Sequence, residues 1–562
     1  MFCWLIYYSS IAQQPLFIPD TLAGTHFNLS INDSTHVFYN GFTTNTYGIN
    51  SSFLGPTLLL NKGDSVSILV NNQLMDTTTL HWHGMHVSPM NDGGPHNYIL
   101  PGGQWNPKFK VRDHAATYWY HPHLHMMTEK HVTLGAAGLV IVRDSVEASL
   151  NIPRRYGVDD FPLVIQTKCF NNNKQIVVGT ASDSTVMVNG SIKPFLNTPA
   201  QVIRFRILNA STERVLNLGL TGNKTFSQIG SDGGLLNQPV SLTRLRLAPG
   251  ERAEILIDFT GMNGQSIDLI SYAAELPNAT YGALQPGMGQ GQTIPGYSAN
   301  VLNGTNFNIL NFQIGAANTN AITTIPVSLV NDIPYQVSTA NTNRTLTFSP
   351  TAMGPNALNG GFLINNTSFD MNFINYTIPY DNVEVWTLTN QSPIAHPFHI
   401  HDVQFYITEI NGATPPPNLQ GRKDVVLVPA AQTVKFITKF ETFCDDMMPY
   451  MYHCHMLPHE DDGMMGQFVV QCPTSNSINE SAAQQLKCYP NPFDEKLNIE
   501  SEDEFLRVQI FDLSGRLVLN KNLKDSARSI EINTKKLMPG VYVMVLVGKN
   551  NTIKSLIEKQ TY

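Results

Sequence analysis

Charge is scarce in this 562-residue chain: Asp, Glu, Lys and Arg together make up only 14% of it, and the net charge is -8 at a pI near 6.1. No basic face that would neutralise phosphates is legible, so nucleic acid is excluded as a partner class. Long apolar runs are missing too. The apolar, aromatic start (residues 1–12) is too short to span a bilayer, which takes about 20 residues, and no later segment reaches that length. Cysteine is sparse. The six, at 3, 169, 444, 454, 472 and 488, form no CxxC pair and no dense disulfide framework. One or two bridges among Cys169, Cys444, Cys472 and Cys488 are compatible with the spacing, which does not choose between them. Helical heptads and low-complexity tails are absent as well.

What is present reads as mostly β. Strand-sized apolar runs alternate with clusters of Asn, Thr, Gly and Pro, and a chain this long is expected to divide into several domains. Residues 1–14 have the length and closing small residues of a secretory signal, although a basic n-region is missing. A first β unit is expected over 15–145, closing on GLVIV (138–142), with an Arg- and Asp-rich connector after it. A second is expected over 155–315, with runs such as VIRFRILNA (202–210) and a Gly-rich loop at 282–296, and a third over 325–472. A polar linker, 473–485, leads to a small β-sandwich over 486–562. Ser514-Gly515 marks a hairpin turn there, and no cluster of catalytic residue types is found.

The 17 histidines are far from evenly placed. Four groups hold most of them: His81-Trp82-His83, His121-Pro122-His123, HPFHIH (396–401), and His453-Cys454-His455 with His459. Each contains a His-x-His pair, and on an extended strand residues i and i+2 share a face, so each pair offers two imidazoles side by side. Imidazole alone suits several transition metals, whereas one thiolate and a thioether select copper. Cys454, His459 five residues on and Met464 a further five, joined by His396, make the trigonal His2Cys set with a weak axial Met of a blue copper site. A lone cysteine is more often an inert buried thiol, but the imidazoles on both sides of Cys454 argue against that. His453 and His455 face away from the Cys454 sulfur and are free for a different centre. With His83, His121, His123 and His401 they give six imidazoles for a pair of coppers, and His81 and His399 remain for one more. Three coppers fed by a fourth suit the four-electron reduction of O2 to water.

These motifs, HWHG (81–84), TYWYHPH (117–123), HPFHIH (396–401) and HCHMLPHEDDGMM (453–465), resemble those of the three-domain multicopper oxidases, the family of laccases, bilirubin oxidases and cuprous oxidases. The resemblance covers about residues 20–472, including a middle domain without ligands through VNG (188–190), RFRILNA (204–210) and LAPGERAE (247–254). It implies an all-β fold of three cupredoxin-like Greek-key units, with four coppers per chain: type 1 at His396, Cys454, His459 and Met464, type 2 at His81 and His399, and a type 3 pair at His83, His121, His123, His401, His453 and His455. It also implies that Asp92 and Glu460 deliver protons to O2; a turn residue and a solvated acid are the bland readings of these two. The tail, through YPNPF, FDLSGRLV and LMPGVYVMVL, resembles the C-terminal sorting domain of the type IX secretion system. That implies export to the surface or medium of a Gram-negative bacterium.

The electron donor is less constrained. Cuprous oxidases of this family carry a Met-rich insertion, whereas 349–362 here holds only Met353, and Ser392-Pro393-Ile394-Ala395 replaces the acidic and Met residues expected before HPFHIH. Phenols and aromatic amines are therefore the expected donors, with 282–296 and 349–362 lining the donor cleft. Oxidation of Cu(I), Fe(II) or Mn(II) is the alternative, for which Met126, Met127, Met447, Met448 and Met451 offer thioethers. A non-enzymatic copper-binding or structural role is a further alternative.

Overall fold

Strands occupy about half of the computed structural model, which describes residues 13–289, 291–473, 486–512, 516–548 and 552–560. The expected signal segment and linker therefore lie almost wholly outside the described residues, as does the Ser514-Gly515 turn. The chain divides into two compact units that meet at Cys472 and Pro473.

The larger unit contains three pairs of sheets, each pair closing on its own apolar core, which is the cupredoxin-like architecture. In the first pair, Ala116–His121 lies between Gly138–Arg143 and His81–His83, all antiparallel. Inward-facing Tyr118, Tyr120 and Trp82 fill the core beneath. In the third pair, His396–Ile400 lies between Val425–Val428 and Asp445–Cys454, and the latter pairs onward with Met465–Gln471. Cys444 and Cys472 form a disulfide across the open end of that last hairpin.

The middle pair shows why its sequence alternates. On Val202–Asn209, Ile203, Phe205 and Ile207 enter the core, while Arg204 and Arg206 point out of it. Alternation of this kind suggests a solvated outer face, but both arginines are buried. Arg206 bonds Asp160 (2.8 Å) and Glu254 (2.6 Å), and Arg204 bonds Glu147 (2.6 Å) and Glu254. The Arg- and Asp-rich connector joins the same network of ion pairs at the junction with the first unit, where Arg143 bonds Asp160 (3.0 Å) and Glu147 (2.7 Å).

The beginning of the described chain departs from expectation. Gln14–Pro15 pairs in parallel with Pro194–Pro199, and Leu16 enters the middle core, so residues 14–16 belong to the middle sandwich instead of opening the first. Two short parallel pairs suffice for this once an apolar side chain is buried beside them.

The smaller unit is a sheet of five strands around Phe493, Leu497, Ile499, Val508, Ile510 and Met544. Its long strands Lys496–Asp512 and Leu517–Asn533 pair antiparallel, as the hairpin reading requires.

Candidate metal centres

The first centre forms where two strands and a short helix converge. Antiparallel register sets Phe398 opposite Cys454 and His399 opposite His453, so Cys454 and its two neighbours face opposite sides of the sheet. Beyond Cys454 the helix Leu457–Asp461 presents His459, and Gly463, at φ +95°, turns the chain back. The Cys454 amide then donates to the Met464 carbonyl (3.0 Å), and the Met464 amide to the His459 carbonyl (2.8 Å). Cys454 Sγ lies 3.5 Å from His396 Nδ1 and 3.7 Å from His459 Nδ1, and those two nitrogens are 3.3 Å apart. The centre of such a triangle is about 2.0 Å from each corner, a metal–imidazole bonding distance. Met464 is fully buried in the same apolar cluster. Burial pushes the Cys454 thiol up and holds His459 down at about 3, so a neutral imidazole waits beside a thiol that a bound cation would deprotonate.

Two loops cover this centre. Phe362 packs its ring against His396 (4.6 Å) and His459 (4.5 Å). The Met288 amide donates to the Pro393 carbonyl (3.1 Å), and Gln292 Nε2 donates to the Gly354 carbonyl (3.2 Å), which joins residues from 282–296 to those from 349–362. Ser392 Oγ is 2.7 Å from His396 Nε2.

Eight buried histidines make the second centre. They fall into three trios whose ring nitrogens lie within 4.8 Å of one another: His83, His121 and His455; His123, His401 and His453; and His81, His399 and His401. His123 Nε2 is 3.0 Å from His453 Nε2 and 3.2 Å from His401 Nε2. Nitrogens so close do not satisfy one another when each presents a lone pair, and Nε2 of His81 and His399 and both nitrogens of His455 have no hydrogen-bond partner among the described residues. Such orphaned, inward-facing donors fit metal ions.

Outer contacts aim these rings. His81, His121 and His399 donate Nδ1–H to the carbonyls of Asp92 (2.9 Å), Pro122 (2.9 Å) and Asp424 (2.8 Å). His401 donates Nδ1–H to Asp92 Oδ2 (2.8 Å), and His453 donates to the Cys454 carbonyl (2.9 Å), with Glu460 Oε2 at 3.1 Å. Each leaves Nε2 facing inward. His83 is reversed: its Nε2 pairs with Asp424 Oδ1 (3.0 Å) and its Nδ1 faces His121 (3.4 Å). Burial pushes His83, His121, His123 and His399 well below the usual imidazole range, and His401 and His455 down to about 3, which keeps them in the neutral form that ligates. Burial alone would raise Asp92 and Glu460, but the flanking imidazoles hold both well below the usual carboxylate range.

Every histidine singled out from the sequence lies in one of these two centres, and Asp92 and Glu460 lie against the second. The methionines do not form one thioether patch, because Met451 is buried in the protein while Met126 and Met447 are exposed. Asp424 and Arg252 escaped the sequence reading. Asp424 is 341 residues from the His83 it bonds, and RKD (422–424) before an apolar strand carries no spacing signal.

Family models described as multicopper oxidase match residues 31–147, 145–267 and 332–473, and a secretion system C-terminal sorting domain model matches 487–559. The chain is 34% identical to a multicopper oxidase of Staphylococcus haemolyticus over 77% of its own length and 86% of that protein. It is 33% identical to the cell division protein FtsP of Sodalis glossinidius over 82% and 89% of the two chains. Among solved structures, the laccase-like multi-copper oxidase CueO of an Ochrobactrum species, active towards lignin model compounds, superimposes with a TM-score of 0.71 at 31% identity, covering 81% of this chain and all of that one.

Proposed function

Because this chain belongs to the multicopper oxidase family, we propose that it is an exported oxidase of laccase type, with type 1 copper at His396, Cys454, His459 and Met464, type 2 at His81 and His399, and the type 3 pair at His83, His121, His123, His401, His453 and His455. The observation that carries this reading is the split at Cys454: its sulfur belongs to one donor triangle while His453 and His455 belong to two trios of the eight-histidine centre. Copper, when bound, would supply the one-electron chemistry that links a donor at the first centre to the four-electron, four-proton reduction of O2 to two waters at the second.

The residues provide the route and the protons. Cys454 is covalently joined to both histidines, and the bond from His453 Nδ1–H to the Cys454 carbonyl shortens the path to one of them. In this reading Asp92 and Glu460, each with its carboxylate against two histidines of the O2 centre, pass protons inward. Burial of the eight histidines keeps bulk water away from this step.

Phenols and aromatic amines suit the first centre. An aromatic ring, Phe362, lies on both His396 and His459, and Ser392, whose hydroxyl is 2.7 Å from His396 Nε2, is neutral. Metal-ion oxidation is the second reading, favoured by exposed thioethers of Met288 and Met353 on the two covering loops. The sorting-domain match and the Cys444–Cys472 bond support export, by type IX machinery, to an oxidising exterior. The FtsP likeness raises a non-catalytic role, against which the undiminished donor set argues.

The copper-loaded protein is expected to show an intense blue charge-transfer band that Cys454→Ser removes. Oxygen consumption with a dimethoxyphenol, bilirubin, Cu(I) and Fe(II) should give the highest kcat/KM for the phenol. A loaded protein with no blue band defeats the copper assignment, a high kcat/KM for Cu(I) alone defeats the laccase reading, and absence of turnover with all four donors favours the non-catalytic one.

A further inference from the structure

The middle β unit contributes no candidate ligand, yet one of its side chains reaches the O2 centre. Arg252 opens the strand Arg252–Asp258 and is fully buried. Its Nη1 and Nη2 donate to the two carboxylate oxygens of Asp424 (2.6 and 2.5 Å), in the third sandwich. Its Nε donates to the Thr117 carbonyl (3.1 Å), on the strand of the first sandwich that ends at His121, and Nη2 also bonds the Asp232 carbonyl (3.0 Å). One guanidinium thus holds all three sandwiches together at the edge of the centre.

Asp424 in turn touches two histidines assigned to different coppers. Its Oδ1 pairs with His83 Nε2 (3.0 Å), and its main-chain carbonyl accepts from His399 Nδ1 (2.8 Å). The His83 and His399 rings lie stacked, 3.8 Å apart and 10° from parallel. The neighbouring Gly84, at φ +85°, leaves room for the arrangement, since a Cβ there would collide with both Asp424 Oδ2 and Arg252 Nη2. The glycine of HWHG is therefore needed by the Arg–Asp pair as well as by its own backbone.

We propose that Arg252 is a positioning residue for the O2-reducing centre: its forked grip on Asp424 sets the tautomer and plane of His83 and His399, aiming Nδ1 of the one and Nε2 of the other at their metals. This rests on the copper reading above. A planar fork is required, because a single ammonium holds one carboxylate oxygen and leaves the other to rotate. The middle sandwich then has a part in the chemistry without supplying a ligand.

The test compares copper-loaded wild type, Arg252→Lys, and the double variant Arg252→Met/Asp424→Asn, which leaves no buried unpaired charge if Arg252→Lys fails to fold. Copper per chain, the type 2 EPR signal, the blue band, and kcat and KM for a phenol are measured together. Arg252→Lys is expected to keep the blue band and the donor KM while its EPR signal changes. Affinity for the type 2 copper and kcat should fall by about 10- to 100-fold, the usual cost of losing an outer contact to a metal ligand. The double variant should show the same pattern. Unchanged EPR and kcat in folded variants overturn the inference, and so does loss of both centres in proportion to lost fold. A wild type that takes up no copper instead refutes the reading on which it rests.

Discussion

Asp92 and Glu460 each serve two histidines from segments far apart in the chain. Asp92 presents its carbonyl to His81 and a carboxylate oxygen to His401, and Glu460 lies 3.3 Å from His123 Nδ1 and 3.1 Å from His453 Nδ1. A carboxylate in that position orients rings and, on the function proposed, offers a site from which protons pass. Asp92→Asn and Glu460→Gln keep the shape and lose the charge. Each is expected to lower kcat by about 100-fold or more while the blue band keeps its intensity, because both carboxylates lie against histidines of the second centre. Stopped-flow reduction of the type 1 centre alongside steady-state oxygen consumption checks this. Slow turnover with normal reduction of the blue centre is the expected split, and an equal fall in both rates would place these residues in electron entry instead.

Among the elements, the hairpin from Asp445–Cys454 to Met465–Gln471 carries the greatest chemical load. Between Cys444 and Cys472 lie His453, Cys454, His455, His459, Glu460 and Met464, so one disulfide loop with a sequence separation of 28 contains donors to both centres. Register within the hairpin shifts between Asp445 and Tyr450, where Met447 and Met448 bond their amides to Asp445 Oδ1 instead of to the partner strand. The disulfide closes the end that this irregularity weakens. Replacing both cysteines by serine is expected to cost about 3–4 kcal/mol, the chain-entropy value for a loop of this length. The readouts are a lowered thermal midpoint and faster loss of copper to a chelator. An unchanged midpoint would mean that the strand pairing holds the ends by itself.

At the scale of the molecule, both centres are built within the unit of three sandwiches. The second centre takes histidines from the first sandwich and the third, so neither is complete alone. The middle one joins them through ion pairs, Asp160 with Arg143 of the first and Arg252 with Asp424 of the third, whose charges would be costly to leave unpaired. The sorting unit is separately compact. Truncation after Cys472 should therefore leave the blue band, kcat and thermal midpoint of the oxidase unit as they are in the full chain. Loss of activity on truncation would show that the tail takes part in the oxidase fold.

The grouping of the candidate ligands was largely legible in the order of the residues, because strand geometry is local. A His-x-His pair faces one way on any strand, and the residue between faces the other, so the division of Cys454 from His453 and His455 needed no tertiary knowledge. The mostly β class followed from alternation and turn residues for the same reason. What depended on distance along the chain did not show. That residues 14–16 join the middle sandwich, that Arg204 and Arg206 are buried, that Cys444 pairs with Cys472, and that Arg252 and Asp424 stand behind the ligands are all outcomes of packing between segments far apart in sequence. A charged side chain on a strand looks the same whether solvent or another domain covers it, and only the folded chain decides which.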